Sequence, residues 1–153
     1  MTDMAESSPN SPLAPQPGDS PAREKLIALR NSLLRIHKTL LDMERRDYER
    51  ANGAVNAGEL FRLVIGHEQF AWLHNISEFV VRIDETLAGE VPVVLADATT
   101  AITLARKMFA PSESGDAFQK KYYEAIQREP DVVIEHAELA RLFGAEPKED
   151  AAK

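Results

Sequence analysis

From Leu26 onward apolar residues recur at intervals of three and four, and this helical period governs the chain as far as Phe143. Leu26, Leu29, Leu33, Ile36, Leu40 and Met43 form one seam, and Ile27, Leu34, Leu41 and Tyr48 repeat at seven residues beside it. The combined face is too wide for a two-stranded zipper and predicts a bundle helix over about 22–51, with Ser20 as N-cap and Pro21 in the first position. Asn56 followed by Glu59 has the form of a capping box, so a second helix is predicted to open there and run to about Ala88. The short turn from Asn52 to Asn56 forces the two into an antiparallel hairpin. A third helix is predicted near 92–110, with Leu95, Ile102 and Phe109 at seven-residue spacing and Ala98, Ala101 and Ala105 on a small-residue flank. A fourth starts at Ser114 or Asp116 and carries Phe118, Tyr122, Ala125 and Ile126. A last helix over about 131–143, stopped by Gly144, is expected to bury Val133, Ala137, Ala140 and Phe143.

Val91 to Leu95 is the one strand-like patch, too short and isolated to found a sheet, and no Asn-Gly or Asp-Gly hairpin signal occurs. The expected fold is therefore all-α, an antiparallel bundle of four to five helices. Proline placement divides the chain. Pro9, Pro12, Pro15, Pro17 and Pro21 lie among Ser, Asn and Gln, which predicts a disordered N-terminal arm over 1–21. A bundle domain follows over 22–144, with Pro92, Pro111 and Pro130 between its helices, and a flexible tail over 145–153.

Net charge is −7, but much of the excess acid lies in the two ends, so the body carries 19 acids against 16 bases. Within it, Arg23 to Arg50 holds eight bases and five acids, whereas 57–100 holds two bases and seven acids. Opposite charge along neighbouring helices suits the predicted hairpin. The absence of cysteine excludes disulfides, cysteine-zinc sites, Fe–S clusters and a cysteine nucleophile. No run approaches 18 apolar residues and the first 25 lack a basic and then apolar leader, so a soluble, cytoplasmic protein with no membrane partner is expected.

Candidate chemistry concentrates on the second helix. At 100° per residue Phe61, Ile65, Trp72, Ile76, Phe79 and Ile83 share one face, while Leu63, Phe70 and Val81 project almost oppositely. A helix apolar on two sides is either central to the bundle or meets another protomer, which makes Leu63, Phe70 and Val81 the candidate interface. Beside them His67, His74 and Glu78 stand in one row and could ligate a divalent metal, although the plainer reading is a partly exposed polar edge, since a lone row of this kind rarely completes a metal site. On the expected core side, His37, Glu44, Glu68 and His136 could converge as a cofactor or proton-handling site, with a divalent metal or haem as the group held. The plainer reading is core histidines satisfied by neighbouring carboxylates or carbonyls. In the predicted hairpin His37 lies opposite about Trp72.

Other chemistries lack their residues. There is no Gly-rich phosphate loop, no Glu-x-x-His or His-Glu-x-x-His pair, and no nucleophile elbow. His37-Lys38 is similar to the pair in helical phosphotransfer domains, but the surrounding pattern is missing and His37 is expected to face inward. Arg45, Arg46 and Arg50 are interleaved with Asp42, Glu44, Asp47 and Glu49, which argues against a nucleic-acid partner.

The Leu-rich opening, Phe-Ala-Trp-Leu at 70–73 and Val-Arg-Ile-Asp-Glu at 81–85 resemble small all-helical bacterial proteins of uncharacterised function over Leu26 to Phe143. The resemblance implies a bacterial cytosolic bundle and transfers no site. The expected function is association, as a homodimer or with a protein partner, with no catalytic motif; the alternative is the metal- or cofactor-binding bundle.

Overall fold

A computed structural model describes residues 13–14 and 19–144. The rest of the expected arm and all of the expected tail lie outside the described residues. The order of elements is α1 (Pro21–Asn52), α2 (Ala57–Gly66), a 3-10 segment (Glu68–Leu73), α3 (His74–Ala88), α4 (Leu95–Met108), α5 (Ala117–Arg128) and α6 (Pro130–Phe143). The fold is all-α, with no strand among the described residues. Local signals set most helix starts. Ser20 Oγ accepts from Arg23 N–H, Asn56 and Glu59 cap one another reciprocally, Asp116 and Gln119 do the same, and Pro130 occupies the first turn of α6.

α1 is the axis of the molecule. α3, α4, α6 and the 3-10 segment all pack on it, and its six-residue seam from Leu26 to Met43 is buried throughout. Burial extends to polar positions. Arg30 is enclosed and pairs with Asp84 of α3, so this charge is tolerated because its guanidinium is neutralised and hydrogen-bonded. Arg46 pairs with Glu129 at 2.8 Å and Arg128 with Asp47 at 2.7 Å, tying the end of α1 to the α5–α6 turn. α5 reaches the body through aromatics instead: Trp72, Phe109, Phe118 and Tyr122 have successive ring centroids 5.1–5.3 Å apart, apart from the Phe118–Tyr122 stack at 5.9 Å. At the amino end, Leu13 is half-buried, its N–H donating to Asn31 Oδ1 at 2.9 Å and its carbonyl accepting from Asn31 Nδ2 at 2.8 Å. That part of the expected arm is therefore docked on α1.

The second predicted helix is two helices, which raises the count to six among the described residues. α2 stops at Gly66, and His67 takes an extended conformation (φ −90°, ψ 135°), its Nδ1 accepting from Gln69 N–H to cap the 3-10 segment. Glu44, buried on α1, anchors that segment: its carboxylate accepts from Gln69 Nε2 at 2.7 Å and from Trp72 Nε1 at 2.9 Å. Because α3 rather than α2 forms the second arm of the hairpin, the register moves, and His37 lies opposite Ser77 instead of Trp72. α1, not the second helix, is central, and α2 packs chiefly on the 3-10 segment with none of its residues buried.

Two smaller shifts concern which side faces inward. In α4 the small flank does so: Ala98 and Ala105 are buried and Leu95 is exposed, because alanines let α4 approach α1 closely. In α6 the buried line is Val132, Leu139 and Phe143, whereas Val133 and Ala137 are exposed, a rotation of about one residue from the expected face. Trp72 fills the core and holds Glu44, so Trp72→Ala should destabilise by roughly 3–5 kcal/mol, the cost of a large buried cavity. Urea denaturation checks this, and an unchanged midpoint would contradict the packing.

Candidate functional site

The candidate metal row does not assemble. His67 is exposed at the helix break, its ring 5.4 Å from that of Tyr48. His74 donates from Nε2 to the Val64 carbonyl at 2.7 Å, which ties α2 to the start of α3. Glu78 is exposed on α3. The row presupposed one continuous helix, and the break at Gly66–His67 turns His67 away from the other two. Among the described residues no three histidines or carboxylates come together in a way that could hold a metal ion.

The candidate cofactor cluster is likewise dispersed. His37 Nε2 hydrogen-bonds with Ser77 Oγ at 3.3 Å; burial, helped by nearby His74, pushes its pKa below the ordinary imidazole value. Glu44 is occupied by Gln69 and Trp72, and Glu68 is exposed. His136 meets Tyr122, 2.7 Å from its hydroxyl, on the far side of the bundle. Burial lowers the pKa of His136 and raises that of Tyr122, which favours the neutral form of both, and the phenol and imidazole Nδ1 share one hydrogen bond. Both histidines of this cluster are therefore satisfied by a hydroxyl rather than by a carboxylate.

The candidate interface also changes. Phe70 is 0% exposed, packed between the rings of Tyr48 and His67, so it is a core residue. Leu63 is half-buried on the inward side of α2, and Val81 is 53% exposed on α3. The three do not share a face, because the 3-10 segment breaks the angular relation between them. On α2 the exposed apolar residues are instead Phe61 at 64% and Ile65 at 57%, one turn apart, while Val91, Leu95 and Ile134 are comparably exposed elsewhere on the surface. Periodicity assigned both to the core. Gly66 followed by His67 was the available signal, a glycine helix stop followed by a side chain able to cap the next turn.

A second apolar feature was not legible as a surface. α3 and α4 each pack on α1 but scarcely on each other, leaving a groove of about 630 Å³ between them. Leu26 and Phe118 form its floor; Phe79, Ile83, Leu104 and Met108 line its walls; Glu78, Arg82, Asp97 and Lys107 stand on its rims. Leu104 is 49% exposed there. The described helices include none long and apolar enough to cross a membrane.

No family model matches the chain, and no curated protein or solved structure matches it either. The residues behind the resemblance to small helical bacterial proteins are largely structural, since Phe70, Trp72, Leu73 and Ile83 are all buried.

The depressed histidines have a consequence for stability. Their folded pKa values lie below 6.5, so as pH falls the unfolded chain takes up protons first and stability declines. The urea midpoint should therefore drop between pH 7 and pH 5, and His136→Asn should flatten that slope, although the lost Tyr122 hydrogen bond lowers the plateau. A midpoint independent of pH across this window would contradict the neutral assignment.

Proposed function

We propose that the protein works by self-association, as a homodimer joined through α2. The single observation behind this is a helix without a core. α2 buries none of its ten residues, yet eight of them are apolar or glycine, and Phe61 and Ile65 point outward. A helix this short has little stability in water by itself. Its capping box and the His74 hydrogen bond to Val64 nevertheless hold it in place, so the apolar stripe is presented on a fixed support. Exposed apolar residues grouped on such an element characterise association surfaces. The interface expected from the pattern, Leu63, Phe70 and Val81, is replaced in this reading by Phe61 and Ile65. The metal- or cofactor-binding alternative has no assembled ligand set among the described residues to favour it.

Sedimentation velocity on the full chain tests the reading. Two copies per particle are expected at micromolar concentration, and Phe61→Glu combined with Ile65→Glu should give a single copy with unchanged far-ultraviolet circular dichroism, because exposed substitutions disturb folding by only about 0.5 kcal/mol. A wild-type chain that remains a single copy at about 100 μM, a concentration that would reveal even a weak dimer, overturns it.

A further inference from the structure

One apolar residue of α1 is buried on the side away from the seam. At 100° per residue Ile27 points about 120–180° from Leu29, Leu33, Ile36 and Leu40, yet it is only 3% exposed. α3 runs along the edge marked by Arg23 and Arg30, whose guanidiniums reach the Leu87 carbonyl and the Asp84 carboxylate. Ile27 stands about 40–60° beyond that edge. One turn on, and about 40° farther round, Asn31 holds Leu13. Leu13 packs against the core, as does Leu34 three residues after Asn31. At its amino end the outer line of Ile27, Leu34 and Leu41 is thus accompanied by a non-helical piece of the arm.

Asn31 reads the main chain of Leu13. Its side-chain amide offers an acceptor and a donor on neighbouring atoms, as a peptide unit does. Both are used: the Leu13 N–H donates to Oδ1 at 2.9 Å and the Leu13 carbonyl accepts from Nδ2 at 2.8 Å. A side chain here does what a strand edge does, with main-chain bonds holding the segment and the side chain between them selecting it. Proline cannot take that position because it has no N–H. Within 12–17, Pro-Leu-Ala-Pro-Gln-Pro, only Leu13, Ala14 and Gln16 carry the donor, and only Leu13 joins it to a large apolar side chain. The sequence therefore sets a single register.

We propose that Ile27, Asn31 and Leu34 form a binding site for an extended, leucine-bearing segment, and that Leu13 of the arm occupies it in cis as a displaceable plug. Cis occupancy is within reach. Asn31 lies about 16 Å along α1 from the Ser20 cap, and the chain from Leu13 to Ser20 spans at most about 24 Å. Asp19, paired with Arg23 at 3.3 Å, holds the base of that tether against α1. Two hydrogen bonds and one half-buried leucine make a weak contact between separate molecules, but a tether this short supplies an effective concentration of about a millimolar. The site is closed by its own chain and opens to a competing segment of the same chemistry. It is separate from α2 and stands independently of the self-association reading.

Nuclear magnetic resonance on the full chain tests the plug, with the free peptide of residues 9–18 as probe and circular dichroism confirming that each variant is folded. The Leu13 amide proton should exchange at least about tenfold more slowly in the chain than in the peptide, and at about the peptide rate in Asn31→Ala. Docking that slows exchange about tenfold leaves the site open about one-tenth of the time. The wild-type chain should therefore bind the peptide about tenfold more weakly than Leu13→Pro, which lacks both the donor and the leucine. With a tether worth about a millimolar, the peptide should bind Leu13→Pro with a Kd below about 1 mM and shift the Ile27, Asn31 and Leu34 signals. Adding Asn31→Ala to Leu13→Pro should weaken that binding at least about tenfold. An unprotected Leu13 amide overturns the plug, and protection that falls on dilution overturns it by assigning the occupant to a second copy. A protected amide in a chain whose Leu13→Pro variant ignores the peptide at about 5 mM overturns the binding site and leaves a structural clasp.

Discussion

The carboxylate of Glu44 determines how the chain turns back on itself. A carboxyl group enclosed on α1 is tolerated only if its oxygens are hydrogen-bonded, and both donors come from the same short segment, Gln69 and Trp72. These residues are three apart. In an α-helix they would diverge by about 60°, whereas a 3-10 segment has three residues per turn and sets them one above the other. Satisfying Glu44 with both donors therefore favours a tight turn at 68–73, and that turn sets the register of α3 along α1. Arg30 facing Asp84 and His37 facing Ser77 are later steps on the same ladder. The same turn leaves α2 on the outside.

This explains which parts of the molecule were legible in its sequence. The α1 seam was, because leucines at helical spacing can serve only one side and nothing interrupts them between Ser20 and Gly53. The starts of α2 and α5 were, because Asn56–Glu59 and Asp116–Gln119 are local motifs whose partners sit three residues apart. The break after Gly66 had only the local Gly66–His67 signal, which the apolar pattern overrode. The apolar pattern runs on through it, and the reason for stopping is a hydrogen-bond acceptor far away on α1. Carrying 100° per residue across the break kept Trp72, Ile76 and Ile83 correctly inside but misplaced the residues nearer the break: Phe61 and Ile65 were placed inside, Phe70 outside, and His67 in line with His74. The histidines of the candidate cofactor site scattered for the related reason that the hairpin register was set by the wrong turn.

The polar interior does a different task from the apolar one. Leucine and isoleucine on α1 could accept neighbours at several rotations, but Arg30 with Asp84 and Tyr122 with His136 each admit one. The first fixes α3 on α1, and the second fixes α5 on α6. No comparable polar contact joins α3 to α4 among the described residues, and the space between them is correspondingly open. One flank of α1 is thus closed and keyed by specific groups, whereas the other is apolar and unkeyed.

The prominence of α1 carries a cost in time. Its most extensive packing is against α6, the last of the described helices, so α1 waits longest for its principal cover. About ninety residues separate the end of α1 from the end of α6, and at roughly 5–20 residues per second a ribosome takes about 5–20 s to deliver them. During that interval the leucine seam can be covered only in part, first by the 3-10 segment and α3 and then by α4. The long central helix that gives the finished protein its order therefore makes the nascent chain depend on whatever shields an apolar helix while translation continues.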